Sequence, residues 1–246
     1  MVAIAMQLGV NYANDYSDFV RGADARRVGP LRAASSGLVP PTQVRAVAIA
    51  AFAVAALAGL ALSLATDWRL LVAGIAAVLA GWLYTGGPRP YGYLGLGEVF
   101  VFVFFGLFAA AGTTYVEVGR VPALSWLAGI GCGALACTIL VLNNLRDIDG
   151  DRVSGKRTLA VLIGRRSTRL LIIALLVLAF VVPVIAFASH LSSQWVLEPL
   201  LLLPSAFAIH RAGGSVEPKL LVAALKSTAQ LELWFALLWT AGMLSP

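Results

Sequence analysis

Charge is scarce in this sequence. Of its 246 residues only 12% are Asp, Glu, Lys or Arg, and 60% are hydrophobic, against about 25% and about 45–50% in ordinary soluble domains. That shortage excludes a globule facing water on all sides. Cysteine is nearly absent too. Cys132 and Cys137 sit five apart inside an apolar run, a spacing that provides neither a disulfide framework nor a metal motif, so both read as small packing residues. The two histidines, His190 and His210, have no nearby partner in sequence with which to do acid–base work. A basic flank before the apolar start is also missing, so no cleavable signal is visible.

What the sequence has in quantity is long apolar runs. A membrane core about 30 Å thick needs roughly 20 such residues per helix. Runs at 1–17, 43–65, 70–87, 96–116, 123–145, 168–189, 195–210 and 220–244 predict eight transmembrane helices. They are too long and too little alternating for barrel strands, and unpaired backbone is not tolerated in lipid. The fold class expected is therefore all-α, a polytopic helical bundle in one transmembrane domain over 1–246. Pseudo-repeat halves are expected at about 1–122 and 123–246.

The net charge of +6 would in a soluble protein suggest nucleic acid; its placement points elsewhere. The connections covering 18–45, 86–95, 146–169 and 211–226 hold 16 of the 18 Lys and Arg residues, leaving only Arg69 and Arg120 in the others. The positive-inside rule puts the first set in the cytoplasm and both chain ends outside. Contact with anionic lipid and with an anionic substrate is expected, and nucleic acid is not.

Six of the twelve acids, Asp15, Asp18, Asp24, Asp147, Asp149 and Asp151, occupy two short stretches, each where an inbound helix reaches the basic side. Asn11, Asn14, Asp15 and Asp18 follow i, i+3, i+4, i+7 and share one helical face. Asn143, Asp147 and Asp151 follow i, i+4, i+8. Asn11 and Asp15 match Asn143 and Asp147 at a constant offset of 132 positions, as in an internal duplication with its site at the repeat interface. Stacked carboxylates repel one another and are costly near a membrane core. Oxygen-only donors suit Mg²⁺, which binds through one or two carboxylates plus phosphate oxygens. The basic residues around them, Arg21, Arg26, Arg27 and Arg32, then Arg146, Arg152, Lys156 and Arg157, are what the remaining oxygens of a metal-bridged diphosphate require. The simpler alternative is a pair of solvated helix ends salt-bridged to Arg21 or Arg146.

A third polar patch runs Tyr84-Thr85-Gly86-Gly87-Pro88-Arg89-Pro90-Tyr91-Gly92-Tyr93, with Gly95 and Glu98 after it. Its Gly and Pro density predicts a tight turn. Glu98, an acid inside the next apolar helix, is a functional candidate. Gly129 and Gly133, four apart, predict a close helix–helix approach.

These residues resemble the UbiA superfamily of intramembrane aromatic prenyltransferases. Its signatures NDxxDxxxD and DxxxD are matched by Asn14-Asp15-Tyr16-Ser17-Asp18 and Asp147-Ile148-Asp149-Gly150-Asp151, with Gly22 where the first has its last acid and Asp24 nearby. Within the superfamily the chain is similar to the naphthoate branch, through Asn11 to Asp18, Arg27-Val28-Gly29-Pro30-Leu31-Arg32 and the patch from Tyr84 to Glu98.

The resemblance implies transfer of a polyprenyl group from polyprenyl diphosphate to 1,4-dihydroxy-2-naphthoate, with loss of diphosphate and CO₂, at a bacterial cell membrane on the cytoplasmic face. It implies Mg²⁺ as cofactor on Asp15, Asp18, Asp147 and Asp151, and diphosphate on Asn14, Arg21, Asn144, Arg146 and Lys156. Tyr84, Tyr91 and Glu98 would face the acceptor or stabilise the allylic cation, with Asn11, Asp24, Asn143 and Arg89 as further candidates. The family has nine helices, so a chain one helix short is expected. The alternatives are another aromatic acceptor such as 4-hydroxybenzoate, or a secondary transporter, whose acids would lie nearer the bilayer midplane.

Overall fold

The computed structural model describes residues 1–22 and 32–245. Asp24, Arg26 and Arg27 therefore lie outside the described residues. Eight helices make up the described chain: α1 Val2–Val20, α2 Pro41–Ala65, α3 Leu70–Leu83, α4 Gly97–Val118, α5 Ala123–Val153, α6 Leu159–Ala188, α7 Leu203–Gly213 and α8 Pro218–Leu244. Five of them, α2, α4, α5, α6 and α8, are long and apolar enough to cross a membrane. Their apolar side chains lie outward as well as inward: Leu57 and Leu64 of α2 and Val177 of α6 are exposed, the pattern of a surface solvated by lipid. This is a multi-pass membrane protein.

The helix boundaries follow local chemistry. Pro41 and Pro218 stand at first helical positions, where the missing N–H costs nothing and the fixed φ suits the helix. Gly119, at φ +69, ends α4. The expected span 195–210 is two pieces, a 3₁₀ segment Gln194–Leu202 and then α7, because Pro199 and Pro204 each withdraw a backbone donor. α3 has only 14 residues, ending where Tyr84 and the Gly86-Gly87 pair begin. α5 runs to Val153 rather than to 145, so the second acidic stretch forms the helix's own last turns.

The described residues divide into two compact units, Met1–Gly97 with Asp149–Thr158, and Glu98–Ile148 with the chain from Leu159 onward. In the first, Phe52 of α2 packs between helices that carry glycine against it. A Cβ on Gly9 or Gly81 would lie 3.0 or 2.9 Å from its ring, and Trp82 meets the ring edge-on at 6.1 Å. In the second, Leu135, Leu142, Leu145, Ile172, Val182 and Phe235 are fully buried, and Phe180 packs edge-on against Phe235 at 5.9 Å. Here Gly129 and Gly133 meet a glycine of α4: a Cβ on Gly106 would lie 2.6 Å from the Gly129 carbonyl oxygen and 2.5 Å from Gly133 Cα. α4 is wound as a π-helix over Phe102–Phe108 around that contact, the sort of local widening that recurs at functional sites.

Candidate active site

In the first unit, the polar face of α1 deepens towards its C-terminal end. Asn11 is exposed and Asn14 half-buried, whereas Asp15 and Asp18 are buried. Asp15 Oδ2 accepts hydrogen bonds from the backbone N–H groups of Ala33 and Ala34 at 2.9 and 3.4 Å. Its other oxygen, Oδ1, is buried with no donor among the described residues. A buried carboxylate oxygen left bare costs about 1–3 kcal/mol or more, so it marks a place where the protein expects something from outside.

Asp18 is the opposite case. Its Oδ1 accepts from the Tyr93 hydroxyl at 2.7 Å and from Lys156 Nζ at 3.2 Å, and its Oδ2 accepts from Arg32 at 2.8 Å. The Asn14 side-chain amide completes the cluster, its nitrogen 3.1 Å from Asp18 Oδ2 and its oxygen 3.2 Å from Arg32. Burial alone would raise the Asp18 carboxyl. The Lys156 and Arg32 charges, with hydrogen bonds from Tyr93 and Arg32, outweigh it and hold the group below the usual carboxylate range.

Tyr93 is the hub of this cluster. Lys156 Nζ lies 4.9 Å and the Arg21 guanidinium 5.3 Å from its ring centre, both within cation–π range. Burial, with Asp18 beside it, pushes the phenol well above its ordinary value, so it stays protonated and donating. Lys156 is delivered to it by the end of α5. Gly155 sits at φ +77, the N–H of Lys156 bonds the Asp151 carbonyl at 2.8 Å, and the N–H of Gly155 bonds Arg152, the paired closure of a Schellman motif. The next N–H, of Arg157, donates to the Tyr93 carbonyl at 3.2 Å. Asp151 is buried, and its Oδ2 accepts from Thr158 Oγ1 at 3.3 Å.

The neighbouring tyrosines have other tasks. Tyr84 and Tyr91 pack on each other at 5.5 Å, and the Tyr91 hydroxyl donates to the Ala80 carbonyl at 2.7 Å. Arg21 donates to the Gly87 carbonyl at 2.6 Å, and Arg89 is exposed. Sequence reasoning named Tyr84 and Tyr91 and passed over Tyr93; nothing in the local pattern of three tyrosines separates them.

In the second unit, the residues before Asp149 form their own network. Arg146, buried at 8% exposure, forks onto Asp147 through Nε at 2.7 Å and a terminal nitrogen at 2.5 Å, and reaches Asn143 Oδ1 at 2.8 Å. Asn144 donates to Glu98 Oε1 at 3.0 Å, while Glu98 Oε2 is buried without a partner among the described residues. Cys137, of the same unit, bonds the Glu98 carbonyl.

The sequence matches the UbiA prenyltransferase family over residues 1–219. The chain belongs to that family. It is 45% identical over 215 residues, 87% of this chain and 72% of the relative, to a protein of Mycobacterium tuberculosis named 1,4-dihydroxy-2-naphthoate octaprenyltransferase. A protein of the same name from Haemophilus influenzae is 34% identical over 99% of this chain and 82% of its own. UbiA prenyltransferase domain-containing protein 1 of Mus musculus is 27% identical over 99% and 71%.

Membership makes this UbiA prenyltransferase an enzyme, and sets the test for a metal. Among the described residues no three His, Cys, Asp or Glu side chains converge as a ready cage. The first unit nevertheless fits a hard divalent cation: its donors are all oxygen, and Asp15 Oδ1 is buried and bare.

Proposed function

We propose that this chain transfers a polyprenyl group from polyprenyl diphosphate to 1,4-dihydroxy-2-naphthoate, releasing diphosphate and CO₂. The identity and coverage of the relatives named for that activity support the acceptor. The observation that carries the chemistry is the buried pair on one face of α1: Asp15 with a bare oxygen, and Asp18 clamped by Lys156, Arg32 and Tyr93.

Asp15, Asp18 and Asp151 are the residues that would hold Mg²⁺, whose charge offsets that developing on the departing diphosphate. Lys156 and Arg32, already positioned by Asp18, turn N–H donors to the remaining phosphate oxygens, and Asn14 fixes the angle between Asp18 and Arg32. As the allylic C–O bond breaks, its electron pair leaves with the diphosphate. The naphthoate ring supplies the pair for the new C–C bond, and the bonding pair of the ring carboxylate returns to the ring as CO₂ departs. Tyr93 holds Lys156 and Asp18 in register by its ring face and its hydroxyl. Sixteen of the 18 basic residues in alternate connections support a site facing the cytoplasm, in a bacterial cell membrane.

The test is an acceptor comparison. Membranes containing the chain, supplied with Mg²⁺ and labelled polyprenyl diphosphate, should prenylate 1,4-dihydroxy-2-naphthoate far faster than 4-hydroxybenzoate. Equal or reversed rates would refute the acceptor assignment while leaving prenyl transfer intact.

A further inference from the structure

α1 has a second functional face. Ala13, Tyr16, Ser17 and Val20 follow i, i+3, i+4, i+7 and lie on the side of the helix opposite Asn11, Asn14, Asp15 and Asp18. They line a cavity of about 330 Å³ closed by Ala48 and Arg45 of α2, Trp82 of α3, Arg21 and the Gly86-Gly87 turn.

Three observations define what fits. The ten described lining residues include two arginines and no acid, so the charge they bring to the cavity is positive. Both arginines are exposed at the mouth of the cavity, and each has a contact there: Arg21 donates to the Gly87 carbonyl at 2.6 Å, and the Arg45 guanidinium lies over the Tyr16 ring at 5.9 Å. Most of the remaining wall is apolar or aromatic; its Val20 is exposed, as are Val47 and Ile49, which flank the lining Ala48 in α2. A small hydrophilic anion would use the arginines and waste that wall. An anion with hydrocarbon attached uses both.

We propose that this cavity binds the phosphate of an anionic phospholipid, with Arg45 and Arg21 on the phosphate and the acyl chains running along the exposed side of α2. Basic pockets between membrane helices on the positive side have the charge and position for such head groups. The opposite facing of Asp15 and Asp18 separates it from the donor diphosphate. Arg21 connects the two faces, because the same guanidinium lies over the ring of Tyr93.

The test is retention of lipid by the purified full chain in detergent. It is equilibrated with mixed micelles of phosphatidylglycerol and phosphatidylcholine, and its adducts are counted by native mass spectrometry. Wild type should retain phosphatidylglycerol at least fivefold over phosphatidylcholine. Arg45→Gln and, independently, Tyr16→Leu should bring that ratio towards one. Arg69→Gln removes the same unit of charge outside the cavity and should leave the ratio unchanged. No preference in wild type, or an equal loss in R69Q, would overturn the site. Displacement of the lipid by millimolar inorganic phosphate alone would overturn the lipid assignment in favour of a simple anion.

Discussion

Replacing Tyr93 by Phe removes one proton donor and leaves the ring in place. The lost hydroxyl is 2.7 Å from Asp18 Oδ1, and hydrogen bonds to charged groups are worth about 1.5–3 kcal/mol. That oxygen keeps Lys156 at 3.2 Å, and Oδ2 keeps Arg32 at 2.8 Å, so Asp18 is weakened rather than stranded. The lower end applies, about 1.5 kcal/mol, or roughly tenfold in kcat/KM at about 1.4 kcal/mol per decade. Replacing Tyr93 by Leu also removes the face on which Lys156 and Arg21 rest. Cation–π contacts of about 0.5–2 kcal/mol then deepen the loss by a further two- to thirtyfold. The assay is initial-rate prenyl transfer in membranes at matched protein level. An unchanged Y93F, or equal losses in Y93F and Y93L, would refute the assignment of separate tasks to the hydroxyl and the ring.

Asp15→Asn keeps an oxygen to accept from Ala33 and Ala34 but removes the charge beside its bare atom; transfer should fall at least a hundredfold while the protein stays folded by circular dichroism. Asp18 has a lowered folded-state pKa, so its stabilisation is fully present above the ordinary Asp value of about 3.9 and is lost as pH falls through the lowered one. Acid denaturation profiles of wild type and Asp18→Asn should therefore be fully separated above about 4 and converge as pH falls below it. Gly106→Ala drives a methyl onto Gly133 and Gly129, and overpacking of that kind costs about 1–3 kcal/mol, to be read as a lower thermal midpoint in detergent; an unchanged midpoint would mean the helices separate freely.

The eight apolar segments and the two acidic stretches were legible because each is a local pattern: run length for lipid, and helical spacing for a shared face. Gly129 and Gly133 were legible for the same reason, although their partner Gly106 was not, since no local rule ties positions so far apart. The ends of the acidic helices were harder. The apolar run ends at 145, yet α5 continues to Val153, because polar residues at a helix end satisfy the helix as well as apolar ones do. Tyr93 was missed for a different reason: its contacts come from Asp18, 75 positions earlier, and from a Schellman turn at the end of α5 that delivers Lys156. Arg146 was expected on diphosphate, and its fork lies on its own neighbour Asp147. Asn144 lies on Glu98, a pairing that joins two separately suspected residues and that spacing alone does not suggest.

The most direct measurement of prenyl transfer coupled to decarboxylation uses 1,4-dihydroxy-2-naphthoate labelled in its carboxyl carbon, with unlabelled polyprenyl diphosphate, Mg²⁺ and membranes containing the chain. One labelled CO₂ should appear for each diphosphate released and each prenylated ring formed, and Asp15→Asn should abolish all three together. Diphosphate release without labelled CO₂, or a prenylated product that retains the label, would contradict the proposed reaction.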